Sequence, residues 1–232
     1  KLARAAATHR PVYGFPGDLP APPLTAEDEW VQAGAATLVA GMRALQPKGP
    51  YLLLGVCIGG VFAWEMARQL EADGDVARLF LVDTRNPRLQ VGDHVFHRAV
   101  TAAMSRDERR ERRQKRRGQR RRQQVEGTAR PIHGTDRQGD SRRVLMARSY
   151  APAPIAAPVT LLVNELWHRV SPDLGWSDVI PNRLRVVVLS GGHGPGWNES
   201  EVAAALRAWL QEDDPTAVGW PPCQMSNYAA RG

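Results

Sequence analysis

Gly55-Val56-Cys57-Ile58-Gly59 places a thiol midway between two glycines, directly after an apolar run and directly before a helical pattern. This is the spacing of a nucleophile elbow, the sharp strand-to-helix bend that lifts a nucleophile above a sheet. Both glycines are expected to be steric necessities, because a side chain there would meet the following helix or the adjacent strand. Chance spacing around the serines and cysteines would give about 0.08 such matches, so the strand-helix context supplies what the spacing alone lacks. A thiol at a helix start lies at the positive end of the macrodipole, and a histidine able to hold its proton would complete a nucleophile. The other reading of Cys57 is a buried structural thiol.

Six histidines could supply that base. His9, His94, His97, His133 and His168 fall in expected helices, loops or the insertion considered below. His193 instead follows the expected strand Arg185 to Leu189, in the loop Ser190-Gly191-Gly192-His193-Gly194. That is the carboxyl edge of a sheet, where open α/β folds place their sites, so His193 is the expected general base. An orienting acid should end another strand on the same edge. Asp83 closes Leu79-Phe80-Leu81-Val82-Asp83 and is expected one strand over from the cysteine. Such a carboxylate would fix the imidazole tautomer and stabilise the imidazolium. Glu165, after Leu161-Leu162-Val163-Asn164, is the rival acid, and a strand-ending aspartate can also simply cap a turn.

Positioning these groups requires alternating strands and helices. Tyr51 to Val56 and Val76 to Val82 are apolar without alternation, as in strands covered on both faces. Between them a helix should bury Val61, Phe62, Met66 and Leu70 and break at Asp73-Gly74-Asp75. Strand, helix and strand make a right-handed βαβ unit, so the fold class is α/β. Val159 to Val163 and Leu184 to Leu189 are two further expected buried strands, and Ser200 to Leu210 a terminal helix with Val202, Leu206, Trp209 and Leu210 inward. Upstream, Thr25 and Asp28 resemble a capping pair for a helix that buries Val31, Ala35, Leu38, Val39, Met42 and Leu45. The expected core is therefore discontinuous, residues 1–87 and 149–214, interrupted by an insertion over 88–148 with a helical pattern from His94 to Met104. So long an interruption reads as a lid. The tail, 215–232, reads as poorly ordered.

The chain holds 31 Lys and Arg against 24 Asp and Glu, a net charge of +7. Residues 106–122 carry eleven of those bases and three acids, so the remainder is close to neutral. No aromatic side chain interrupts this run and no RNA-binding motif contains it, which weakens the reading of an inert hydrolase scaffold bearing an arginine-rich nucleic-acid-binding segment. A solvated lid helix, docking to an acidic carrier domain and binding of a charged substrate are the other readings of the run. No stretch approaches the roughly 18 apolar residues of a membrane span, no secretory signal opens the chain, and two cysteines make no disulfide framework. A cytoplasmic protein without membrane partners is expected. Neither a metal-ligand spacing nor a dinucleotide fingerprint is present, so no directly bound cofactor is expected.

GPYLLLGVCIGGVFAWEMARQLEADGDVARLFLVDTRNP and LRVVVLSGGHG together resemble the elbow, acid strand and histidine loop of the thioesterase domains that end nonribosomal peptide synthetases and related polyketide synthases. The resemblance covers residues 10–87 and 149–210 and implies an α/β-hydrolase fold, with Cys57, Asp83 and His193 as nucleophile, acid and base. It further implies a peptidyl thioester substrate, delivered on the phosphopantetheine arm of an upstream peptidyl carrier domain. The backbone N–H of Ile58 would be one oxyanion donor. The family's second donor belongs to a strand and loop that the pattern places ahead of residue 1. Cys57 stands where the family usually has serine, and cysteine variants resemble enzymes that close strained four-membered lactam or lactone rings. Passing the acyl group to sulfur conserves the thioester's transfer potential, which favours such a cyclisation. Hydrolytic release, or proofreading by a thioesterase of the same fold, is the alternative outcome.

Overall fold

The computed structural model describes residues 12–15, 29–71, 73–89, 93–110, 113, 114, 117, 147, 149–192 and 198–211. Four strands, β1 (Tyr51–Val56), β2 (Val76–Val82), β3 (Val159–Asn164) and β4 (Leu184–Leu189), pair in parallel in that order. Parallel pairing forces each connection across a face of the sheet, and the helices do this. These are α1 (Trp30–Leu45), α2 (Ile58–Glu71), α3 (Asp93–Ala103), the single turn α4 (Glu165–His168) and α5 (Glu199–Gln211).

Side chains on a strand alternate between faces, so the sheet divides its apolar residues into two cores. Leu53, Leu79, Leu81, Val159, Leu161 and Val163 pack with α1 and α2, while Phe80, Val82, Leu162 and Leu189 pack with Val202, Leu206 and Trp209 of α5. Trp209 also lies under the guanidinium of the buried Arg78, 5.1 Å from its ring centroid. On the α1 side, Trp30 meets Phe62 edge to face at 4.9 Å. Trp64 stacks on Trp176 at 4.2 Å, and each indole N–H finds a carbonyl, Ala153 and Thr84 respectively.

The strand pattern predicts burial on both faces everywhere, and this is correct only for the two inner strands. β3 is buried throughout and β2 from Arg78 to Val82, whereas Leu54 of β1 and Val188 of β4 are exposed. β1 and β4 are the outer strands of the described sheet, and apolar character there does not require full cover. The expected inward stripe of α2 is buried, but so are Ala63, Trp64, Glu65 and Ala67 between its members. In α1, Val31, Ala35 and Met42 are buried, and Leu45, at the helix end, is exposed. The Thr25 and Asp28 pair lies outside the described residues, as do most of the basic run and the tail. The described part of α1 starts at Trp30 after Glu29, which makes no side-chain cap.

Candidate active site

Cys57 follows β1 and precedes α2 with φ of 52°, a left-handed backbone that a β-carbon disfavours. The bend is held from three directions. The Cys57 N–H donates to the Val82 carbonyl at 2.9 Å, its own carbonyl accepts from the Gly60 N–H at 3.0 Å, and Val56 pairs with Val82 across the ladder. The thiol is left exposed beyond the carboxyl end of β1. Ile58 is the first residue of α2, where a backbone N–H has no carbonyl of its own helix to meet.

A β-carbon on Gly55 would lie under 3.0 Å from backbone atoms of Gly59 and Gly60, so the first motif glycine is a steric necessity. The second is not. A β-carbon on Gly59 meets nothing within 4 Å, and the close approach belongs instead to Gly60, where it would strike the Thr84 side chain. α2 therefore presses on the β2 edge one residue later than the motif suggests.

Asp83 sits one strand over, directly after Val82, buried and also left-handed with φ of 45°. Its N–H donates to the Leu162 carbonyl at 2.8 Å, and its Oδ1 accepts from both the backbone N–H (2.8 Å) and the side-chain Nδ2 (3.0 Å) of Asn164. Asn164 in turn caps α4, its Oδ1 accepting from the Trp167 N–H at 3.0 Å. The segment after Asp83 is fastened as well. Asn86 Nδ2 donates to the Gly175 carbonyl at 2.6 Å and the Asn86 N–H to the Leu174 carbonyl at 2.9 Å. The rival acid, Glu165, lies on the first turn of α4 and pairs with Arg169 at 2.5 Å on the surface. Sequence reasoning missed Asn164; its only signal was a polar side chain closing an apolar strand.

His193 lies outside the described residues, but both ends of its loop are within them. Glu201 on α5 ties those ends together. Its Oε2 accepts from the Ser190 N–H (2.7 Å), and its Oε1 from Ser190 Oγ (2.6 Å) and Asn198 Nδ2 (2.8 Å). The Ser190 bonds hold the Glu201 carboxyl below the usual carboxylate range. Ser190 follows Leu189, which pairs with Asn164, so the loop leaves the same edge as Cys57 and Asp83, two strands beyond the aspartate. Among the described residues no three His, Cys, Asp or Glu side chains gather closely enough to hold a metal ion.

The family model of the thioesterase domain matches residues 29–210. This chain belongs to the thioesterase domain family. The NocB thioesterase domain, solved in covalent complex with a fluorophosphonate nocardicin G analog, is similar at 29% identity and TM-score 0.54, over 78% of this chain and 75% of that one. Among curated proteins, the non-reducing polyketide synthase atnG of Arthrinium sp is 40% identical over 101 residues, 39% of this chain and 5% of its own length. The nonribosomal peptide synthetase atqA of Aspergillus terreus is 41% identical over 76 residues, 31% of this chain and 8% of its length. The match thus spans under a tenth of the length of either synthase. The fold is that of an α/β-hydrolase, with its parallel sheet between helices. No helix among the described residues of this thioesterase domain is long and apolar enough to cross a membrane.

Proposed function

We propose that this domain takes a peptidyl or related acyl chain from the phosphopantetheine thioester of an upstream carrier domain onto Cys57 and then releases it. The observation that carries this reading is the exposed Cys57 at a left-handed bend over the sheet edge, next to the strand that ends in Asp83. The Cys57 sulfur attacks the thioester carbonyl, and the oxyanion that forms is met by the Ile58 N–H. His193, held in tautomer by Asp83, takes the thiol proton and returns it to the departing arm thiol. The acyl group remains a thioester, now on Cys57. An amine, amide or hydroxyl within the chain then attacks the same carbonyl, His193 takes the attacking group's proton and passes it to the Cys57 sulfur, and the sulfur leaves as the thiol with a ring closed. Sulfur is a better leaving group than an alkoxide oxygen, which supports closure of a strained four-membered lactam or lactone over simple release.

Mass spectrometry with a synthetic peptidyl thioester tests both steps. The unaltered chain should gain the acyl mass on the tryptic peptide containing Cys57, and Cys57→Ala should gain none. Acylation of the variant at an equal rate would refute the nucleophile assignment. Cyclic product supports ring closure, and free acid alone would reassign the second step to water.

A further inference from the structure

The arginine-rich run begins at a fixed place. Ser105 and Glu108 form a reciprocal cap: the Ser105 N–H donates to Glu108 Oε2 at 2.5 Å, and the Glu108 N–H donates to Ser105 Oγ at 3.1 Å. Arg169, just beyond α4, bridges Glu108 at 3.3 Å and Glu165 at 2.5 Å, and Arg109 donates to the Thr101 carbonyl at 3.1 Å. Phe96 of α3 packs edge to face on Trp167 at 5.2 Å, and Arg85, two residues past Asp83, lies over the Phe96 ring at 4.2 Å. The first turn of the run is therefore anchored to the carboxyl edge of the sheet, the edge that carries Cys57 and Asp83.

Residues 106–110, 113, 114 and 117 are helical, and Arg106, Arg110, Arg113 and Arg117 are all exposed. Their spacing in the sequence, four, three and four residues, is that of side chains sharing one helix face. Among the described residues none of the four has an acidic partner. The rest of the chain is near neutral, so the run carries the basic excess, and these four of its eleven bases fall on one line. We propose that Arg106, Arg110, Arg113 and Arg117 form the docking face for an acidic helix of the carrier domain that delivers the thioester, an inference that rests on the function proposed above. Charge complementarity selects an acidic partner, and a single line of four cations matches one partner helix. Steering by exposed charge also suits a carrier that must arrive quickly and leave after each transfer. A nucleic-acid ligand is disfavoured, since no aromatic side chain in the run could stack on a base.

The test measures affinity and turnover separately. The full chain and its quadruple variant Arg106→Glu, Arg110→Glu, Arg113→Glu, Arg117→Glu are titrated with an acidic phosphopantetheinylated carrier domain of a nonribosomal peptide synthetase, and with a short DNA duplex. Titrations run at about 50 and about 300 mM salt. The variant should bind the carrier at least about tenfold more weakly, the unaltered chain should lose affinity at the higher salt, and a small pantetheine thioester should acylate both chains equally. Equal carrier affinity for the two chains, no carrier binding by either, or tighter stripe-dependent binding of the duplex would each overturn the docking face. The catalytic reading fails on a different result: carrier binding through the stripe with no acylation of Cys57 refutes the thioesterase step and upholds the docking surface.

Discussion

A cysteine held at φ of 52° stores strain of about 1–3 kcal/mol, which persists only where surrounding contacts leave no alternative. Here those contacts are the Val82 carbonyl, the Gly60 N–H and the absence of a side chain on Gly55. Gly55→Ala should destabilise by about 1–3 kcal/mol, because the added methyl meets the backbone of α2, which cannot move without unseating the helix. Gly59→Ala should be neutral or stabilise by up to about 1 kcal/mol, since it adds a methyl in open space and removes a flexible residue from a helix. Urea unfolding of the two variants checks this, and equal losses would mean that the motif is not held as described. Cys57 and Asp83 were legible as candidates because a strand end and a glycine spacing are local signals. Gly60 and Asn164 were not, since each matters through a residue far along the chain: Thr84 for the glycine, Asp83 for the asparagine.

Among the elements, the β-strands were the most readable part, because a mostly apolar run of six or seven residues bounded by turn residues has few other uses. The Ser105 and Glu108 cap has the Ser-x-x-Glu spacing, but charged residues follow it in place of the apolar run that makes such a spacing a helix signal. Clamping of the 190–198 loop was out of reach, since nothing in Ser190, Asn198 and Glu201 distinguishes them from ordinary surface residues until α5 folds back on β4. Glu201→Gln leaves one oxygen where two now serve Ser190 and Asn198, and turns an N–H group toward a donor. If His193 is the base, kcat should fall by about tenfold or more through misplacement of the loop, with the unfolding midpoint nearly unchanged. The carboxyl titrates below the usual carboxylate range, so the clamp is intact above that range and is lost as pH falls through the lowered value. Thioester turnover and thermal unfolding at pH 7 separate the two effects, and an unaffected kcat would remove the clamp from the account of the site.

Across the whole molecule, Glu65 is the feature that ties distant segments together, and it lies outside the apolar stripe that the sequence predicts for α2. Its carboxylate is fully buried, accepting from Arg68 Nε (2.7 Å) and Nη2 (2.6 Å), from Gln69 (2.9 Å), and from the hydroxyl of Tyr150 (2.6 Å), 85 residues further along the chain. Burial alone would push this carboxyl up, but the bonds from Arg68, Tyr150 and Gln69 outweigh it and hold it below the ordinary carboxylate range. Burial and the neighbouring carboxylate push the Tyr150 hydroxyl up, so it stays protonated and able to donate. A carboxyl lowered on folding adds stability that is present above its unfolded value, about 4.3, and is lost as pH falls through the folded value. Glu65→Gln keeps the size, loses the charge, and should cost about 1–3 kcal/mol at pH 7. Because the glutamine does not titrate, the gap between the two chains should narrow steadily as pH drops below the carboxylate range. Urea midpoints of both chains at neutral and at acid pH measure that gap. Curves that stay parallel would show that Glu65 contributes no pH-dependent stability and would remove its charge from the account of how α2 and Tyr150 are joined.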